Sequence, residues 1–150
     1  MEDQIRAVFE DALVRLAAHL EVDRFELDED GTIGFDFADD VSCSVEVPPG
    51  SGYFHLHGTV MRLPAIGRET FLAALLRQNL FGLSLPGAWL AIDGDEVKVC
   101  RSVAGKAFEA EDLPGLLLGL TEELRTLRRT LVSRQADCES GINTGVFIRG

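Results

Sequence analysis

The 150-residue chain is poor in several residue types, and each shortage narrows what it can be. It has three cysteines, Cys43, Cys100 and Cys138, set far apart with no CxxC pair. That spacing suggests neither a zinc site nor a disulfide framework. The sequence contains no Gly-rich phosphate loop, GxSxG, HExxH or Walker motif, which leaves motif-borne nucleotide, hydrolase and metalloprotease chemistry without a carrier. It also has no basic-then-apolar leader after Met1-Glu2-Asp3, and no apolar run long enough to span a bilayer. The expected compartment is therefore a reducing cytoplasm. Lysine is scarce too, at two against twelve arginines.

Acid dominates what remains. The net charge is −11, made up of −10 over residues 1–62 and −1 over residues 63–150. Such a chain repels phosphate backbones, so nucleic acid is not an expected partner, whereas a basic or unfolded chain is steered to the N-terminal half. The length suits one domain able to bury about 68–70% of its unfolded surface without metal or disulfide support. At 46% apolar and 26% charged residues, the composition excludes disorder along the whole length.

Ile5, Val8, Phe9, Ala12, Leu13, Leu16, Ala17 and Leu20 recur at helical spacing, which predicts an amphipathic helix over about 3–20. Ile33, Phe35 and Phe37, then Val41, Cys43, Val45 and Val47, then Phe54, Leu56, Gly58 and Val60 alternate with polar residues. They predict three half-buried strands in an antiparallel meander. A second helix is expected over 68–81, stopped by Gly82, and a hairpin over 88–103. Leu113, Leu116, Leu117, Leu120, Leu124, Leu127 and Leu131 give a third helix, with Asp112 as its N-cap and Arg125, Arg128 and Arg129 suiting its C-terminal dipole. The order α-β-β-β-α-β-β-α predicts a single α+β domain over 1–132, a twisted antiparallel sheet packed with three helices, followed by a tail over 133–150.

Few constellations in the chain carry chemistry. His55 and His57 share one face of a strand and could supply two metal ligands, with a third from Cys43, Asp36 or a neighbouring strand, but they read more simply as ordinary strand histidines on the more polar face. Asp36, Asp39, Asp40 and Glu46 could pair for acid–base work but read more simply as solvated turn and strand residues. Cys43 and Cys100 fit strand interiors as small hydrophobes. The informative residues are apolar. The first helix and first two strands present Ile5, Phe9, Leu13, Ile33, Phe35, Phe37, Val45 and Val47, either as core or beside an open sheet edge that accepts an added strand. The second helix and the hairpin around Trp89 offer a self-association face.

The stretch Phe71-Leu72-Ala73-Ala74-Leu75-Leu76-Arg77-Gln78-Asn79-Leu80-Phe81-Gly82 resembles the second helix of the class I type III secretion chaperones, the Tir-chaperone-like family. The hairpin with Ala88-Trp89-Leu90-Ala91-Ile92-Asp93 and Val97-Lys98-Val99, and the leucine-striped third helix, are similar to the family's next elements, so the resemblance spans 3–132. It implies a non-enzymatic, cofactor-free cytoplasmic homodimer. Phe71, Leu75, Leu80, Phe81, Trp89 and Leu90 would form the dimer interface, and Ile5, Phe9, Leu13, Ile33, Phe35, Phe37, Val45 and Val47 the effector groove. The implied partner is the extended, non-globular N-terminal segment of one or more secreted effectors, kept soluble and export-competent, with the secretion ATPase as a further partner. The alternatives are a regulator on the same fold that sequesters another regulator, and a metal protein centred on His55 and His57. The strand-prone end Gly145-Val146-Phe147-Ile148-Arg149-Gly150 could fold back on an open edge.

Overall fold

The computed structural model describes residues 2–80 and 87–145, with side chains over 4–80 and 87–136. The order of elements is α1 (Glu2–His19), β1 (Thr32–Phe37), β2 (Val41–Glu46), β3 (Tyr53–Arg62), α2 (Arg68–Gln78), β4 (Ala88–Asp93), β5 (Glu96–Ala104) and α3 (Leu113–Gly145). Two short 3-10 turns, Gly105–Ala107 and Ala110–Asp112, join β5 to α3. The five strands form one antiparallel sheet in the order β1-β2-β3-β5-β4, which makes this the α+β single domain expected from the pattern.

Period-two patterning sets the faces of the sheet. Phe35 pairs with Cys43, Cys43 with Gly58 and Gly58 with Val99, which puts their side chains on one face. That face buries Ile33, Val45, Phe54, Leu56 and Val97 beneath the helices. Leu124 of α3 comes so close to the sheet that a Cβ on Gly58 would lie 2.6 Å from its Cδ1 and 2.9 Å from the Ser42 carbonyl oxygen. Only glycine admits the helix at this depth. α1 enters the same core through Phe9, whose ring lies 5.3 Å from that of Phe54, and Phe108 closes the cluster 4.7 Å from Phe54.

Three helix ends differ from expectation. α2 stops at Gln78, with Asn79 as C-cap; the expected stop at Gly82 lies outside the described residues. Asp112 does not cap α3. Its carboxylate accepts a 2.9 Å bond from the Glu109 N–H, closing a capping box on the preceding 3-10 turn, and α3 continues directly from that turn. α3 runs on to Gly145, so residues 133–145, read as tail, are helical. Once a helix is nucleated, each added residue contributes a hydrogen bond, and polar residues extend it without an apolar stripe. Arg125, Arg128 and Arg129 are therefore mid-helix and have no helix-end role. The strand-prone residues 146–150 lie outside the described residues.

Candidate binding surfaces

Along one rim of the sheet, the first turns of α1 face the loop before β3 and the 3-10 turn after β5. Between them lies a cleft of about 700 Å³ lined by Ile5, Val8, Tyr53, Ala104, Lys106 and Phe108 among others. A smaller cleft of about 240 Å³, lined by Arg6, Val47, Pro48 and Pro49, shares Ile5, Gly50 and Gly52 with it, so the two form one trough. Of the buried Phe9–Phe54–Phe108 cluster, Phe108 lines the larger cleft, and Phe9 and Phe54 are fully buried behind it. The trough is apolar at its base and open to solvent above, which suits side chains of an extended segment.

The β1 edge borders the same half of the molecule. Asp28 takes both outward backbone groups of Thr32: its N–H donates to the Thr32 carbonyl at 2.9 Å, and its Oδ1 accepts from the Thr32 N–H at 2.7 Å. Alternate strand residues face the same way, so Gly34 and Asp36 also turn their N–H and C=O groups outward. No described residue bonds them. Phe25 packs its ring at a tilt against Phe35 of β1, with centroids 5.4 Å apart.

Further apolar side chains are exposed on α2 and β4, with Ile92 on the same face of β4 as Leu90 and Trp89 on the opposite, helix-free face. Leu76 is 71% exposed, Leu80 55%, Ile92 43% and Trp89 41%. α2 turns Phe71 and Leu75 inward, and β4 does the same with Leu90, so these three of the residues expected at the self-association face are core. Leu80 and Trp89 are on the surface, and Phe81 lies outside the described residues. Of the eight residues expected to line a groove, Phe9, Leu13, Ile33, Phe35, Val45 and Val47 are buried, while Ile5 and Phe37 are half-buried. Only Ile5 of these reaches the larger cleft; Val8, Tyr53 and Phe108 there were not singled out.

The histidines sit on the helix-free face. His55 Nδ1 lies 2.6 Å from Ser102 Oγ, and His57 Nε2 lies 3.0 Å from Glu46 Oε1. Cys43 points into the core on the opposite face, so it does not join them. Among the described residues no three His, Cys, Asp or Glu side chains gather as metal ligands. Burial, with Asp36 adding to it, pushes the Cys43 thiol up to about 11, and burial also raises Cys100. Both thiols are protonated at neutral pH and behave as small hydrophobes. Cys138 lies outside the described side chains.

Two polar residues acquire roles that local pattern did not reveal. Arg128 of α3 donates to four backbone carbonyls: Val60 at 2.9 Å, Asp40 at 3.0 Å, Thr59 at 3.1 Å and Asp39 at 3.4 Å. A signal was present, since Arg128 lies four residues after Leu124, on the sheet-facing side of the helix. Asn79 pairs its side-chain amide with the backbone of Leu90 in β4. Among the described residues no helix is long and apolar enough to cross a membrane.

The chain was compared with known proteins. A model of the Tir chaperone protein (CesT) family matches residues 11–128. No curated protein matches the chain. Among solved structures, a chain of the HopA1–SchA chaperone–effector complex superposes with a TM-score of 0.66 at 18% identity, over 83% of this chain and 95% of that one. A chain of the ExsC–ExsE complex gives 0.66 at 15% identity, over 81% and 92%. A chain of the complex of the Yersinia pestis type III secretion chaperone SycH with a stable fragment of YscM2 gives 0.58 at 20% identity, over 79% and 98%. At these identities the likeness is one of fold.

Proposed function

The chain belongs to the Tir chaperone protein (CesT) family, and on that premise we propose that it is a type III secretion chaperone. In this reading it acts as a cytoplasmic homodimer that binds the extended N-terminal segment of a secreted effector, keeps it soluble and export-competent, and does no covalent chemistry. The observation that carries the reading is the family match over residues 11–128. The trough around Ile5, with its apolar floor and open top, supports it as a place for the effector's apolar side chains. The unpaired groups of Gly34 and Asp36 support strand addition at β1, where backbone bonds supply affinity independently of sequence. Ordering a disordered segment costs free energy, so the contact has to extend over both surfaces.

The groove is assigned here to Ile5, Val8 and Tyr53, backed by the buried Phe108, rather than to the buried residues of α1 and β1, which do not line the larger cleft. Ile5→Asp is expected to leave the fold and oligomeric state unchanged and to weaken effector binding at least tenfold, since it puts a charge into an apolar contact. Isothermal titration with the effector's N-terminal segment checks this, and unchanged affinity removes the trough from the assignment. The dimer face is assigned to Leu76, Leu80, Trp89 and Ile92. Leu76→Asp, at an exposed position that tolerates charge in a monomer, is expected to convert dimer to monomer in light scattering.

The whole reading is tested by isolating the protein from its own cells under native conditions and trimming the complex with protease. The expected result is a dimer that protects the N-terminal segment of one larger protein. A lone monomer, or a partner held through its folded portion, overturns it.

A further inference from the structure

β4 is an edge strand, since among the described residues β5 is its only neighbour in the sheet. Edge strands invite pairing with other chains, and proteins usually blunt them with lysine, proline or inward charges. β4 reads Ala-Trp-Leu-Ala-Ile-Asp and has none of these before its final Asp93. What it has instead is Asn79. The Asn79 Nδ2 donates to the Leu90 carbonyl oxygen at 2.9 Å, and the Leu90 N–H donates to Asn79 Oδ1 at 2.7 Å. The side-chain amide thus reproduces, at one residue, the two bonds that a neighbouring strand would make.

The position of this contact matters more than its strength. Leu90 bonds outward, so Ala88 and Ile92 also face outward by alternation. Now let a second copy of β4 pair antiparallel with the first. A ladder centred on Leu90 pairs Leu90 with its counterpart and Ala88 with Ile92 of the second copy. The registers shifted to either side pair Leu90 with Ala88 or with Ile92. Every register that joins more than one pair of outward residues uses Leu90, and single-pair registers hold too few bonds to persist. One amide at the central residue therefore blocks the whole strand, and no amide at Ala88 or Ile92 would do so.

We propose that Asn79 is an edge plug that closes β4 to strand pairing with a second copy of this chain. The occupant it excludes is argued from the strand itself: it is self-complementary about Leu90, it is flanked by the exposed apolar side chains of Trp89 and Ile92, and it bears no repelling charge over Ala88–Ile92. β1 is treated differently, since Asp28 covers only its first residue and leaves Gly34 and Asp36 outward and unbonded among the described residues. The inference concerns self-pairing only and does not depend on what the chain binds.

The test measures mass by light scattering and exchange of the Leu90 amide hydrogen across a range of protein concentrations, for the full-length chain and for Asn79→Ala. In the unaltered chain the Leu90 amide is expected to exchange slowly at every concentration. In Asn79→Ala it is expected to exchange at least tenfold faster when dilute, and to regain protection as concentration rises, with a mass at least twice that of the unaltered chain. Adding Ala91→Lys, a half-buried β4 position outside the assigned dimer face where a lysine repels a second copy of the strand, is expected to return the mass to that of the unaltered chain while Leu90 stays fast. A purely local role, fixing the end of α2 to β4, predicts fast exchange with no change in mass at any concentration, and that result overturns the plug. Should Asn79→Ala not accumulate as folded protein, Asn79→Ser, too short to bridge both groups of Leu90, takes its place with the same two expectations.

Discussion

Phe54→Ala is expected to lower stability by about 3–5 kcal/mol, the usual cost of emptying a buried aromatic site. Phe54 is fully buried and joins three parts of the chain: its ring meets Phe9 of α1 at 5.3 Å and Phe108, after β5, at 4.7 Å edge-on. Neither neighbour can fill the void, because Phe9 and Phe108 already touch each other at 6.0 Å and are anchored in different elements. Against a total stability of roughly 5–15 kcal/mol, this loss moves the melting temperature down by roughly 6–20 °C. Thermal and urea unfolding measure it, and a loss below about 1 kcal/mol would show that the cluster relaxes freely. Binding should suffer as well, since Phe108 lines the cleft and loses its support. Phe54→Leu keeps most of the volume and is expected to cost about 1 kcal/mol with binding largely retained.

The second large effect is expected at Arg128. Its guanidinium holds the carbonyls of Thr59 and Val60, where β3 bulges, together with those of Asp39 and Asp40 in the turn between β1 and β2. Both aspartates have positive φ, 63° and 53°, a backbone state that non-glycine residues adopt at a cost. Hydrogen bonds from a charged donor contribute about 1.5–3 kcal/mol each, and four on one group are not additive. Arg128→Ala is therefore expected to lose about 3 kcal/mol, or roughly 6–12 °C in melting temperature. Arg128→Lys should recover only part of this, because an ammonium cannot span two segments with a planar fork. The partners are neutral carbonyls, so the loss should persist at high salt, where a surface ion pair would be screened. Amide exchange in the β1–β2 turn should accelerate. A salt-sensitive loss would mean that Arg128 acts through its charge rather than through these bonds.

The same residues show how far local pattern can be read. Alternation in β1, β2 and β3 marked their core faces correctly, since a strand places every second side chain on one side whatever lies beyond it. α1 was equally legible as a helix, yet Ile5 and Phe9 share its apolar stripe and differ in fate. Phe9 is sealed by Phe54 and Phe108, residues about 45 and 99 positions away, while Ile5 is left at the mouth of the cleft. In α2 the apolar arc was visible, but the split between inward Phe71 and Leu75 and outward Leu76 depends on where α3 and β4 meet the helix. Arg128 read as a residue for a helix end because the leucine stripe fades nearby, although the helix itself continues to Gly145. Asn79 was legible only as part of a family-like segment.

The amino-acid sequence by itself determined the acidic surface, the order of helices and strands, the pairing of neighbouring strands and the kinship with secretion chaperones. The first three follow from composition and short-range periodicity, which act over a few residues, and the kinship follows from the resemblance of residues 71–82 and 88–99 to the family's elements. Tertiary structure alone decided which apolar side chains are core and which are surface, that Arg128 ties a turn to a bulge, and that Asn79 meets Leu90. Each of these depends on segments far apart in the chain being brought within a few ångströms, and the chemistry of a leucine is the same whether a neighbour covers it or solvent does.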